Sequence, residues 1–193
     1  GNGMLTYEFK GGTGTASRVI DIDNNTYTLG VFVQSNFGSR EDLTVLGVPV
    51  GKHLSDDKVY EKANVQELGS IIVIIATDAP LLPSQLTRVA KRASLGLART
   101  GTIGGHGSGD IYLAFTTANA WEPGKQTTPT MTMAVLGDHC LNDLYRAARD
   151  GVEEAIINAM VAGKTSLAFR PEGLAIKAID HQALMHVMKQ YQP

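Results

Sequence analysis

The stretch Gly69-Ser70-Ile71-Ile72-Val73-Ile74-Ile75-Ala76-Thr77 places an almost unbroken apolar run directly behind a glycine and a serine. Its branched apolar side chains predict a β-strand from Ser70 to Thr77. Because polar side chains do not alternate with the apolar ones, both faces of this strand are expected to be buried. A serine at the first position of such a strand is held by a rigid scaffold.

The Gly69-Ser70 junction combines a potential nucleophile with an unhindered carbonyl group, since glycine carries no side chain. If this peptide bond is cut, Ser70 gains a free α-amine beside its own hydroxyl. Such an amine is the general base of N-terminal-nucleophile hydrolases. A Gly-Ser pair before a strand is also an ordinary turn. The local sequence leaves both interpretations open.

Composition excludes several classes of protein. The 193 residues fit one domain, and a hydrophobic content of 43% supports a sizeable core. A net charge of −2 gives no general attraction to nucleic acid. No apolar stretch reaches the ~20 residues that span a bilayer, so no membrane partner is expected. Cys140 is the single cysteine, which rules out an intramolecular disulfide and favours a cytoplasmic setting.

The first third of the chain predicts strands joined by short turns, which is typical of an antiparallel meander. The predicted strands cover residues 4–10, 16–22 and 26–34, with turns at 11–15 and 23–25. Residues 38–50 are expected to be irregular with one short strand. Residues 51–67 are polar with little apolar periodicity, so they predict an exposed, mobile segment that ends at the Gly69-Ser70 junction.

The remainder of the chain alternates helical patterns with short strands. Predicted helices cover residues 83–100, 138–162 and 180–191, and predicted strands cover 111–117 and 174–176. Gly101 is a natural end for the first helix, and residues 121–130 predict a loop. Strands first and mostly helices afterwards predict a layered α+β domain rather than a parallel βαβ fold.

Most of the familiar catalytic and metal motifs are missing. Five histidines allow a Ser-His-Asp triad on composition, yet no serine lies in a G-x-S-x-G elbow. Cys140 follows His139 directly, and neighbours on a helix point to different faces, so a Cys-His pair is disfavoured. With no C-x-x-C or H-E-x-x-H motif, neither a metal nor another cofactor is expected.

Two further places carry candidate chemistry. Ser108 and Asp110 lie two residues apart in a glycine-rich loop before a strand, so both side chains can point to one side. A hydroxyl backed by a carboxylate can relay a proton or hold an amine, although a plain glycine loop with an acidic cap fits the same residues. Asn36 ends the third predicted strand and is either an oxyanion donor or a turn residue.

Six stretches of the chain together resemble the family of self-processing serine aminopeptidases. That family includes the DmpA-type L-aminopeptidase D-Ala-esterase/amidase and the bacterial β-peptidyl aminopeptidases. The matching stretches are residues 7–18, 34–38, 69–83, 95–101, 107–111 and 153–159. The resemblance covers nearly the whole chain, and it is longest around Ser70 and Ser108.

The resemblance implies an α+β fold, a four-layer αββα sandwich like that of N-terminal-nucleophile hydrolases. It also implies a precursor that cuts itself between Gly69 and Ser70. Residues 1–69 would then end the α part, and residues 70–193 would form the β part of the same domain. Ser70 corresponds to the nucleophile, Ser108 and Asp110 to the supporting serine and acidic residue, and Asn36 to the oxyanion residue.

The implied partners are a short peptide or aminoacyl amide substrate, the protein's own upstream precursor segment and further copies in a homo-oligomer. Family precursors are longer than this chain, so the missing half is expected upstream of Gly1, and a periplasmic location stays open. Two other functions also stay open. One is an amidase of the same fold that acts on a pantetheine-like amide, and the other is a ligand-binding relative that never cleaves.

Overall fold

A four-stranded sheet forms the centre of the computed structural model, which describes residues 2–120 and 129–191. Its strands, in spatial order, are β3 (Gly12–Ile22), β4 (Asn25–Asn36), β5 (Ser70–Thr77) and β6 (Ile111–Thr116). The first three are antiparallel, and the predicted meander is confirmed only for its second and third strands, which correspond to β3 and β4. β6 pairs with β5 in parallel, so the starts of β5 and β6 and the end of β4 meet at one edge.

Three helices cover one face of this sheet. α5 (Leu141–Val161) packs across β3 and β4, α3 (Pro83–Ala90) packs against β6, and α4 (Ala93–Arg99) packs on α5. α3 and α4 form the crossover between the parallel strands β5 and β6. The domain is α+β as predicted, with one parallel crossover inside it.

The predicted helix over residues 138–162 is confirmed by α5, which follows a short 3₁₀ turn at Asp138–Cys140. Its apolar face is buried almost throughout, with Tyr145 only partly covered; the face comprises Leu141, Leu144, Tyr145, Ala148, Val152, Ile156 and Met160. Gly14 allows the close approach of helix and sheet, since a Cβ atom there would lie 1.9 Å from the Ala155 carbonyl oxygen. The helix therefore rests on the backbone of β3 as well as on side chains.

The opposite face of the sheet is apolar and exposed, so the prediction that both faces of β5 are buried is wrong for the described residues. Ile71, Val73 and Ile75 are buried against the helices, whereas Ile72 is 44% exposed. Exposed apolar side chains continue this surface on the neighbouring strands, at Phe32, Ile111, Leu113 and Phe115. The described residues thus build one helical layer on one sheet, which is half of a four-layer sandwich.

The predicted strand over residues 4–10 is wrong as a single element. It is a hairpin of β1 (Leu5–Thr6) and β2 (Phe9–Lys10), whose turn residues Tyr7 and Glu8 have φ values of 51° and 62°. The predicted turn at 11–15 belongs largely to β3. Positive φ angles at two consecutive non-glycine residues are hard to predict from sequence, because this uncommon backbone conformation depends on tertiary contacts.

The segment 51–67 is also more ordered than predicted. α1 (Val50–His53) and α2 (Val59–Ala63) lie along it. Arg40, which is buried, donates from its guanidinium to the carbonyl oxygens of Leu54 (2.8 Å) and Asp56 (2.9 Å). The Glu8 carboxylate accepts from the backbone N–H of Tyr60 at 2.9 Å. Buried polar contacts thus order a segment whose lack of apolar periodicity predicted an exposed, mobile chain.

The helix predicted over residues 83–100 is divided in two. A turn at Lys91 and Arg92 separates α3 from α4 and lets Gly96 approach α5, where a Cβ atom would lie 2.5 Å from the Arg149 carbonyl oxygen. Gly101 ends α4 with a φ of 106°, as predicted.

The C-terminal predictions are largely confirmed. β7 (Ser166–Leu167) pairs with β8 (Ala175–Ile176), and α6 (His181–Gln190) follows.

Residues 38–50 hold a 3₁₀ turn (Arg40–Asp42) and a single bridge between Val45 and Val48. The predicted loop at 121–130 lies outside the described residues up to position 128.

Candidate active site

Ser70 lies at the edge of the sheet where β4 ends and β5 begins. It is the register partner of Asn36, and directly opposed residues of antiparallel strands carry their side chains on the same face. The Ser70 hydroxyl oxygen accepts a hydrogen bond from the backbone N–H of Gly109 at 2.9 Å. The predicted nucleophile and the predicted oxyanion residue are therefore neighbours.

Ser108 and Asp110 lie in the loop that leads into β6, beside the start of β5. The Ser108 hydroxyl donates to Asp110 Oδ1, which also accepts from the backbone N–H of Ile71 at 3.2 Å. Asp110 thus links the loop to the residue that follows Ser70. All four residues that the sequence singled out lie at one edge of the sheet.

Tyr112 is a residue of this cluster that the sequence analysis missed. Its hydroxyl donates to the second carboxylate oxygen of Asp110, Oδ2, at 3.2 Å. Burial raises the pKa of Tyr112 to about 12, with a smaller contribution from the Asp110 charge. The phenol is therefore protonated near neutral pH and available as a donor. The two-residue repeat from Ser108 to Asp110 to Tyr112 is the signal that indicates it.

The Asn36 side chain is fixed at one end. Its Oδ1 atom accepts from the backbone N–H of Leu5 in β1 at 2.9 Å. This contact holds the carbonyl end of the amide against β1 and leaves the NH₂ end to donate elsewhere. An oriented amide donor of this kind suits the stabilisation of a negatively charged oxygen.

Gly69 occupies a space in which only glycine fits. A Cβ atom at this position would lie 2.0 Å from the backbone carbonyl oxygen of Asn36. The Gly69 N–H donates to Glu67 Oε1 at 2.9 Å. Glu67 is a second residue that the sequence analysis did not single out, and no motif marks it.

The part of the chain that holds these residues matches a known protein family. Residues 1–171 match the protein family described as peptidase family S58. The chain belongs to peptidase family S58. Its fold is shared with the L-aminopeptidase D-Ala-esterase/amidase from Ochrobactrum anthropi, which is described as a prototype of the serine aminopeptidases and a variant of the Ntn hydrolase fold. The expected fold class is thereby confirmed.

The similarity to these S58-type proteins is high over the part that is matched. The Ochrobactrum structure is 46% identical with a TM-score of 0.91, and the match covers 98% of this chain and 50% of that chain. A Burkholderia sp. beta-aminopeptidase structure is 41% identical with a TM-score of 0.82, over 100% of this chain and 53% of that one.

Among curated relatives, the beta-peptidyl aminopeptidase BapA of Sphingosinicella microcystinivorans is 43% identical over 99% of this chain. A second BapA, from Sphingosinicella xenopeptidilytica, is 36% identical over 98% of this chain. The chain spans about half the length of these curated relatives, 50% and 49% respectively.

Two of the histidines in this S58 chain have partners outside the Ser70 cluster. His53 contacts the Tyr191 hydroxyl, and His181 contacts the Val161 carbonyl oxygen. Within residues 2–120 and 129–191, no group of three His, Cys, Asp or Glu side chains is placed to hold a metal ion. Over the same described residues, no helix has the length and apolarity needed to cross a membrane.

Proposed function

We propose that this chain carries the nucleophile of a self-processing serine aminopeptidase, which removes the N-terminal residue of short peptides, amides or esters. One observation carries the proposal. The Ser70 hydroxyl lies at the start of β5, held by the Gly109 N–H at 2.9 Å and preceded by a glycine that no other residue can replace sterically. The names of the S58 relatives, aminopeptidase and amidase, support the same chemistry.

The first step is self-cleavage. The Ser70 hydroxyl oxygen attacks the carbonyl carbon of Gly69, and the Gly69–Ser70 C–N bond breaks as the nitrogen takes up a proton. Water then hydrolyses the ester, which leaves pieces of residues 1–69 and 70–193. The new α-amine of Ser70 lies on the same residue as the nucleophile and serves as its general base.

Substrate hydrolysis follows the same course. The Ser70 oxygen attacks the substrate carbonyl, and its proton passes to the Ser70 α-amine or to Ser108. The Asn36 NH₂ group and backbone N–H groups stabilise the oxyanion. One of these is the N–H of Gly109, which lies 2.9 Å from the Ser70 hydroxyl oxygen. The amine product leaves, and water hydrolyses the acyl-enzyme.

Asp110 gives the site its preference for a free N-terminus. Its carboxylate lies next to the start of β5, where it can pair with the ammonium group of a bound substrate. A charge-assisted hydrogen bond of this type contributes on the order of 1–3 kcal/mol. Blocking the substrate amine by acetylation removes that contribution.

Two partners belong to the same proposal. A segment outside these 193 residues covers the exposed apolar face of the sheet and completes the four layers, in keeping with the half-length coverage of the relatives. A homo-oligomer is proposed on family resemblance alone, and light scattering of the full-length protein tests it.

The decisive experiment is denaturing mass spectrometry of the full-length protein, combined with hydrolysis of aminoacyl nitroanilides. We expect two pieces that meet at Gly69 and Ser70, and activity that disappears with Ser70→Ala, which stays uncut. The matched control is Ser94→Ala, an exposed serine on α4. A chain that stays intact and hydrolyses nothing contradicts the proposal. Activity on acylated small molecules alone would establish the non-peptide amidase instead.

A further inference from the structure

Glu67, two residues before the proposed cleavage point, ties the cleavage segment to the loop after β4. One of its carboxylate oxygens, Oε1, accepts two backbone hydrogen bonds. One comes from Gly69 at 2.9 Å and the other from Gly38 at 3.2 Å. A single side chain therefore connects the residue before Ser70 to the segment that follows Asn36.

The Gly38 end of this connection is rigid. Gly38 has a φ of 94°, and a Cβ atom on it would lie 2.6 Å from the Tyr7 ring. The backbone N–H of Tyr7 in turn donates to the Phe37 carbonyl oxygen at 2.8 Å. The loop that anchors the Glu67 carboxylate is thus packed against the β1–β2 hairpin.

The Gly69 end is held from two sides. A Cβ atom on Gly69 would lie 2.0 Å from the Asn36 carbonyl oxygen and 2.9 Å from Glu67 Oε1. On the other side of the bond, the Ser70 hydroxyl is held by the Gly109 N–H at 2.9 Å. The peptide group between Gly69 and Ser70 consequently has little freedom to turn.

We propose that Glu67 is a positioning residue for self-cleavage, which fixes the Gly69 carbonyl group relative to the Ser70 hydroxyl. This inference rests on the proposed function. The carboxylate takes no part in bond making: the Ser70 oxygen bonds to the Gly69 carbon, the C–N bond breaks, and the hydroxyl proton moves to the nitrogen. Glu67 acts on the reaction only through its contact with the Gly69 N–H, so its contribution to the chemistry is confined to the uncut precursor.

The test compares Glu67→Ala with Glu67→Gln in the full-length protein, made by cell-free translation and sampled over time by intact mass. Loss of orientation in an intramolecular attack predicts that Glu67→Ala slows cleavage by about tenfold or more. Glu67→Gln keeps an oxygen that accepts both N–H groups, so it should cleave faster than Glu67→Ala. The control is Gln66→Ala, an exposed neighbour, which should cleave at the wild-type rate.

A second readout separates positioning from general stability. Once cleaved, the Glu67→Ala protein should show wild-type kcat per active site, because the carboxylate orients the Gly69 carbonyl only before cleavage, and its Tm should fall only slightly through the lost hydrogen bond to Gly38. Glu67→Ala cleavage at the wild-type rate overturns this inference and leaves the proposed function intact. A parallel fall of cleavage, kcat and Tm overturns it too, since that pattern marks a structural role. A wild-type chain that never cleaves overturns both proposals.

Discussion

At the scale of single residues, the candidate site is organised around the Asp110 carboxylate. Its two oxygens accept from the Ser108 hydroxyl, the Ile71 N–H and the Tyr112 hydroxyl. Three donors on one carboxylate fix both the direction and the place of its negative charge. The same carboxylate connects the start of β6 to β5 directly beside Ser70. A change in its orientation is therefore expected to shift the position of the Ser70 side chain.

Tyr112→Phe removes one of these donors and keeps the ring. A hydrogen bond to a charged group contributes about 1.5–3 kcal/mol, and the 3.2 Å separation favours the lower end. Because about 1.4 kcal/mol corresponds to a factor of ten, kcat/KM for peptides should fall about tenfold. Steady-state kinetics on the cleaved enzyme measure this effect, and an unchanged kcat/KM would show that Tyr112 does not hold Asp110.

An ultraviolet titration of the same variant provides its control. The raised pKa keeps the Tyr112 phenol neutral while an ordinary tyrosine ionises near pH 10. Tyr112→Phe should therefore remove a tyrosine that titrates near pH 12 and leave the transitions near pH 10 in place. Loss of a transition near pH 10 instead would place the Tyr112 hydroxyl in water.

At the scale of elements, the contact of α5 with β3 depends on the absence of a side chain at one position. Gly14 lies under the helix, where a Cβ atom would meet the Ala155 carbonyl oxygen at 1.9 Å and the Ala159 nitrogen at 2.8 Å. Both atoms belong to the helix backbone, so they cannot move aside by changing a rotamer. The helix and strand would have to separate.

Gly14→Ala is accordingly expected to destabilise the full-length protein. Overpacking of a close contact lowers the free energy of unfolding by about 1–3 kcal/mol. Urea unfolding followed by circular dichroism measures the change. Gly3→Ala is the matched control, since a Cβ atom there meets nothing within 4 Å. Equal stability of the two variants would contradict the close approach of α5 to β3.

The elements that the sequence predicted well are those whose apolar pattern is local. α5 and β4 follow from their own periodicity and composition. The β1–β2 hairpin and the helices near Tyr60 depend instead on Arg40 and Glu8, buried polar residues whose partners are distant in sequence. Ser70 and Ser108 are candidates from their local sequence and receive their roles from the family resemblance, Tyr112 is indicated only by its two-residue spacing from Asp110, and Glu67 requires the three-dimensional contacts.

At the scale of the whole molecule, one face of the central sheet is apolar and has no layer of the described residues packed on it. Ser70 and Asn36 oppose each other at one end of the β4–β5 pair. The same pair places Phe32 opposite Ile74 on this face. The sequence of β5 predicted burial on both sides, and half of that burial is absent here. A continuous apolar face of this kind ordinarily marks an interaction surface.

Leu113→Asp tests whether this face is covered in the full-length protein. Leu113 is 53% exposed in the described residues, so an aspartate in this half of the fold alone would be tolerated. If a second sheet packs on it, the variant buries an unpaired carboxylate, which costs several kcal/mol. We expect a large fall in Tm and in soluble yield for the full-length variant. Leu95→Asp, at a 51% exposed leucine on α4, is the control and should change Tm only slightly. Similar Tm values for both variants would mean that the face beside Ser70 stays open to solvent, and the completing segment would then have to pack elsewhere.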